Sequence, residues 1–169
     1  MMPSQPITPE PAQWRELGIP IVTHKQSGFT HVFNATELDA REALCSIVPS
    51  LRDLGVAEEQ VGGVEIALSE AVNNIVEHAY HGLEPGEIRV LAEFEAERLR
   101  LRISDHGHPL PDGKLPEGKP ADISGPVSDL PEGGFGWFMI RTLARDICYV
   151  RQNGQNHLHL VFDLIPPAV

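Results

Sequence analysis

The stretch from Glu58 to Tyr80 constrains the fold more than any other part of the chain. Val61, Val64, Leu68, Ala71, Val72, Ile75 and Ala79 recur at three- and four-residue intervals, the mark of one buried face on an amphipathic helix. So continuous an apolar stripe has to be covered, which calls for a packed layer beneath it. Glu70, Asn74 and His78 follow at i, i+4 and i+8 and line up along one edge of the same helix. A carboxylate there can take a proton, and an amide oxygen one turn away can bind a hard cation such as magnesium without neutralising it. Read on the helix alone, the three are equally well ordinary solvated positions.

The rest of the chain supplies the layer. Residues 1–24, with Pro3, Pro6, Pro9, Pro11 and Pro20, read as an extended tail, with Trp14 and Leu17 able to pin part of it. Residues 25–169 read as one domain. Phe29–Ala35 alternates aromatic and branched residues as a strand does. Thr36 is a helix N-cap followed by Glu37 and Asp39, and Leu38, Leu44, Ile47, Leu51 and Leu54 are expected to form that helix's apolar face. Pro49 should kink or divide it, and Gly55 should stop it. Two alternating strands, about Gly86–Glu95 and Arg98–Ser104, come next. Residues 106–133 break every period, with proline and glycine throughout, and read as a functional lid. A second amphipathic helix follows, with Phe138, Ile140, Leu143 and Ala144 as core candidates. Strands at Ile147–Arg151 and His157–Leu164, joined by a turn at Asn153 and Gly154, close the chain. His157 and His159 share one face of the last strand. The order implies an α+β two-layer sandwich, helices on one face of a mainly antiparallel mixed sheet.

Composition narrows the function classes. A hydrophobic fraction of 41% and a charged fraction of 22% suit a soluble globular domain, and no apolar run reaches the ~20 residues that span a bilayer. With no leader-like start, a cytoplasmic location and no membrane association are expected. A net charge of -11 without a lysine or arginine cluster argues against direct nucleic-acid binding. Cys45 and Cys148 lack metal-type pairing and are expected as buried free thiols.

Three segments carry candidate chemistry. The first is the helix with Glu70 and Asn74. The second is Asp105-His106-Gly107-His108-Pro109 at a strand end, where a carboxylate can accept from an adenine amino group and a glycine lets a ligand approach. The third is Gly133-Gly134-Phe135-Gly136 at a helix start, where N–H groups stand open to phosphate. In this order and on these elements they resemble the nucleotide-binding boxes of the GHKL ATPase superfamily. SEAVNNIVEHAY, ISDHGHPLPD and GGFGWFMIRTLARDICYV look closer still to the boxes of the stand-alone anti-sigma-factor serine/threonine protein kinases, over roughly residues 29–163.

The resemblance implies a Bergerat-type ATP-binding fold and an ATP- and Mg2+-dependent kinase. Glu70 would be the general base and Asn74 the magnesium ligand. Asp105 would read the adenine amino group beside Gly107, Gly134 and Gly136 would admit the phosphates, His78 would shape their site, and Arg141 would add a contact from its helix. Glu132 stands where kinases of this branch often carry a basic residue. The implied partners are an anti-sigma-factor antagonist protein as substrate, a sigma factor to sequester, and a second copy in a homodimer. A nucleotide-responsive binding module that switches partners without phosphoryl transfer is the competing expectation.

Overall fold

The computed structural model describes residues 27–95, 97–119 and 134–164. Strand β1 (Ser27–Asn34) is followed by helices α1 (Glu37–Asp53) and α2 (Glu58–Asn74), and α2 runs on into a single π-helical turn, Ile75–Ala79. Strands β2 (Glu87–Glu95) and β3 (Arg98–Asp105), a short 3-10 turn at Pro111–Gly113, helix α3 (Phe135–Leu143) and strands β4 (Asp146–Gln152) and β5 (Gln155–Asp163) complete the order. The proline-rich tail, Glu132 and Gly133 lie outside the described residues.

The five strands form one sheet in the order β1-β2-β3-β5-β4, and all four pairings are antiparallel, so no parallel pair occurs among the described residues. Period-two alternation decides which side meets the helices. Ile88, Val90 and Ala92 on β2, Leu99, Leu101 and Ile103 on β3, and Leu158, Leu160 and Phe162 on β5 are buried on one face. Against them pack Ile47 and Leu51 of α1, Val61, Val64, Leu68 and Val72 of α2, and Ile140 of α3. Each fully buried Leu, Ile or Val of this layer contributes roughly 1.5–3 kcal/mol of transfer free energy. The β4–β5 turn places Asn153 and Gly154 at φ 52° and 79°, the left-handed pair that a tight hairpin demands.

Local signals hold where backbone chemistry sets them. The Thr36 hydroxyl accepts from the Asp39 N–H at 3.1 Å, capping α1. Several side-chain assignments turn out otherwise. Leu38 is exposed, because the buried stripe of α1 runs through Ala40, Ala43, Ile47 and Leu51. Cys45 is exposed on the same helix and Cys148 is half-buried. Trp137 is buried on α3, whereas Phe138 is half-buried and stacks on the exposed Phe135. Pro49 does not divide α1, which continues to Asp53. No described helix is long and apolar enough to cross a membrane.

Pro49 is exposed in the helix interior and offers no N–H to the preceding turn. Pro49→Ala is therefore expected to stabilise the domain by about 1–3 kcal/mol. A denaturant titration checks this: the midpoint rises while the slope stays the same.

Candidate active site

The π-helical turn sets the geometry of the site. Its widened backbone gives a Tyr80 N–H to Ile75 O bond of 3.1 Å and leaves the Ala79 carbonyl to accept from the His108 N–H at 2.7 Å. That bond ties the end of the organising helix to the segment leaving β3. A Cβ on Gly107 would lie 2.5 Å from the Ala79 oxygen, so glycine is needed for this backbone contact rather than for the approach of a ligand. Tyr80, buried, accepts from the His106 N–H at 3.2 Å and holds the same segment from below. The helix is thus not α-helical to Tyr80 as its periodicity suggests. Glu70 and Asn74 share α2, and His78 belongs to the π turn.

Between α2, the 108–116 segment, α3 and the sheet lies a cavity of about 410 Å³. Asn74, His78 and Asp105 line it, together with Leu110, Trp137, Tyr149 and Asn156. The wall is mainly apolar with a few convergent polar groups, the usual constitution of a small-molecule site.

Asp105 is 3% exposed, and its Oδ1 accepts from the Gly107 N–H at 2.8 Å and from Asn156 Nδ2 at 2.9 Å. Its Oδ2 takes no donor among the described residues, and the residue lines the cavity. Asn156 in turn donates to the His108 carbonyl at 3.0 Å and accepts at 2.6 Å from both the Tyr149 hydroxyl and Arg151 Nη1. Arg151 also donates to the Gly107 carbonyl at 2.9 Å, and the Leu110 N–H donates to Tyr149 at 3.1 Å. Desolvation pushes the Asp105 carboxyl above its ordinary value, partly offset by Asn156, the Gly107 amide, Arg151 and His106.

The Glu70 carboxylate reaches α3 and rests against Gly136, in the space a Cβ there would fill. Gly134 is the α3 N-cap, in the left-handed region at φ 98°. The first-turn N–H groups of α3 have no helical acceptor and can serve an anion. The Asn74 amide nitrogen is buried with no protein partner. An unpartnered amide N–H on the cavity wall is a donor suited to an anionic oxygen such as a phosphate's, and a magnesium ion would have to take the Oδ1 of the same side chain. Arg141 points elsewhere: its Nε donates to the Pro116 carbonyl at 2.9 Å, and with the Lys119 N–H to Gly134 O bond of 3.3 Å it straps residues 116–119 along α3. The structure therefore gathers Asn74, His78 and Asp105 around the cavity, with Glu70, Gly134 and Gly136 together at its α3 side, and sets Gly107 and Arg141 in supporting contacts.

Asn156, Tyr149, Trp137 and Arg151 were not singled out from the sequence. One signal was available: Asn156 continues the inward alternation of Leu158, Leu160 and Phe162, so the chain places an amide where the pattern calls for an apolar residue.

A family model described as "Histidine kinase-like ATPase domain" matches residues 33–162. The chain belongs to this family, whose GHKL-type fold is the one described above. Curated relatives include proteins named serine-protein kinase RsbW from Bacillus cereus strain Q1 and Bacillus anthracis strain CDC 684 / NRRL 3495. Each is 37% identical over 106 residues, 62% of this chain and 66% of the relative. The matched region thus spans just under two thirds of those relatives. A crystal structure of the RsbU and RsbW domains of a Mycobacterium tuberculosis protein shares the fold, with a TM-score of 0.58 and 21% identity over 84% of this chain and 34% of that one.

Two outcomes are expected. Gly136→Ala displaces the Glu70 carboxylate while adding helix propensity, so thermal stability is kept or raised and any Glu70-dependent activity falls; paired melting and activity assays read both. Because burial raises the Asp105 pKa in the folded state, its ionisation carries a stability cost that is absent below the ordinary aspartate value and complete above the folded one. The stability of Asp105→Asn relative to wild type is therefore expected to improve as pH rises through that window, as followed by denaturant midpoints.

Proposed function

We propose that this chain is an ATP- and magnesium-dependent serine/threonine protein kinase of the anti-sigma type. Its substrate would be an anti-sigma-factor antagonist protein. The observation that carries the reading is the placing of Glu70 and Asn74 one turn apart on α2, with the Glu70 carboxylate against the first turn of α3 and Asn74 on the wall that Asp105 shares.

Adenine enters between Leu110, Trp137 and Tyr149, and its amino group donates to Asp105 Oδ2, whose partner oxygen is already held by Asn156. The phosphates extend toward the N-terminus of α3, where the N–H groups behind Gly134 and Gly136 donate to their oxygens. Asn74 would hold the magnesium ion, which when bound supplies charge neutralisation between the phosphates. Glu70 takes the proton of the attacking hydroxyl as the new O–P bond forms on the γ-phosphorus and the bond to the bridging oxygen breaks, releasing ADP. Residues 108–111 and Pro116 line the cavity, residues 116 and 119 bond to α3, and in this reading the segment 106–133 is the lid. A cytoplasmic location, assembly as a homodimer and sequestration of a sigma factor belong to the same reading and follow the resemblance.

One observation favours the partner-switch alternative. Among the described residues that line the cavity there is no lysine or arginine, and Arg141 is engaged with Pro116. A site so arranged can hold a nucleotide tightly while neutralising the terminal phosphate weakly.

The test is incubation with radiolabelled ATP, magnesium and a purified antagonist protein. Glu70→Gln is expected to lower transfer by ~10²–10⁴-fold with nucleotide binding retained. Asn74→Ala should lose magnesium-dependent binding as well. Transfer undiminished in Glu70→Gln would rule out its role as base, and binding without transfer in the wild type would support the switch.

A further inference from the structure

The two strand ends that hold Asp105 and Asn156 carry a second set of side chains on the opposite face. In the β3–β5 register Ser104 pairs with His157 and Asp105 with Asn156. Alternation therefore sends Asp105 and Asn156 into the nucleotide cavity and turns Ser104, His106, Gln155 and His157 outward. There, with Glu87, Arg89 and Leu91 of β2 and Arg102 of β3, they enclose a cavity of about 340 Å³. This volume is within the usual range for a small-molecule site.

The lining is rich in donors and short of acceptors. Ser104, 5% exposed, is hydrogen-bonded through Oγ to His157 Nδ1 at 2.9 Å, which leaves Nε2 as the imidazole's unengaged nitrogen. The one lining carboxylate, Glu87, is already engaged with Arg89 at 2.9 Å. Arg102 has no carboxylate within ion-pair distance among the described residues, and its register neighbours are Leu91 and His159. Burial and the Arg102 charge hold His157 below its ordinary value, and the same causes with His157 added bring His159 to about 4. In a chain of net charge -11, Arg102 thus has no carboxylate partner among the described residues and stands beside two imidazoles whose protonation its charge disfavours.

We propose that this outer cavity binds the phosphate group of a free small molecule, with Arg102 as its principal cation and Arg89, His157 and Gln155 completing the donors. Four oxygens on a tetrahedral dianion match converging guanidinium, imidazole and amide donors better than a planar monoanionic carboxylate does. The site is separate from the nucleotide cavity and does not depend on the kinase reading.

The experiment is an NMR titration of the full chain with inorganic phosphate and, in a second arm, glycerol 3-phosphate, following the histidine ring signals. Saturable movement of His157 with a rise in its pKa is expected, with the ester binding at least as well if the natural ligand is a phosphomonoester. Arg102→Ala, an exposed position whose loss leaves the core intact, should weaken binding ~10–100-fold. Arg102→Lys should retain part of it. An unmoved His157 up to ~50 mM of either probe would overturn the proposal, since that range exceeds the affinity expected of two guanidinium contacts. Equal affinity in Arg102→Ala would overturn it too, as would movement of only His78 and His108, which would place the phosphate in the nucleotide cavity.

Discussion

The hydrogen bond from Asn156 to Asp105 is the contact on which the rest of the site depends. A carboxylate buried at the end of an apolar sheet face is tolerated only with donors around it, because an unpaired buried charge costs far more than the core can recover. Asn156 supplies one donor, the Gly107 amide another, and Tyr149 and Arg151 saturate the far side of Asn156. Each such partner, left unsatisfied, would cost about 1–3 kcal/mol. The consequence for chemistry is that one carboxylate oxygen is committed to the fold and the other is offered to the cavity.

The same network joins the sheet to the segment that follows β3. Gly107 and His108 receive bonds from Arg151 and Asn156 through their carbonyls, and the His108 amide reaches the π turn at Ala79. Two elements that are distant in sequence, the end of the organising helix and the last hairpin, are thereby clamped on one short peptide. The cavity wall from His108 to Leu110 is held by these bonds, although its composition reads as loop. On the α3 side, among the described residues, Arg141 donates to the Pro116 carbonyl and the Lys119 N–H donates to the Gly134 carbonyl.

The two faces of the sheet carry different chemistry from the same strands. Inward positions of β3 and β5 end in Asp105 and Asn156, and outward positions carry Ser104, His157 and Arg102, which has no carboxylate partner among the described residues. The alternation that builds the core therefore also sorts a pocket that offers a carboxylate acceptor from a donor-rich one. Rotating either strand by a single residue would exchange them.

Much of this was legible in the residues. The 3.6-residue repeat of α2, the Thr36 cap, the Asn153-Gly154 turn and the alternation of β2, β3 and β5 are local, since they depend on backbone sterics and on one apolar face per element. Together they determined an α+β layer pair, and the ordered boxes around Glu70, Asp105 and Gly134 fall on the elements that frame the candidate site. Tertiary structure decided which side chains meet. Leu38 and Cys45 stay outside because the crossing of α1 over the sheet selects one stripe of that helix. Gly107 packs on a carbonyl, and Arg141 turns to Pro116 rather than to the cavity. Asn156 becomes the keystone only because β5 pairs with β3 in one register, and pairings across fifty residues are set by the packing of the whole layer and leave no local mark in the chain.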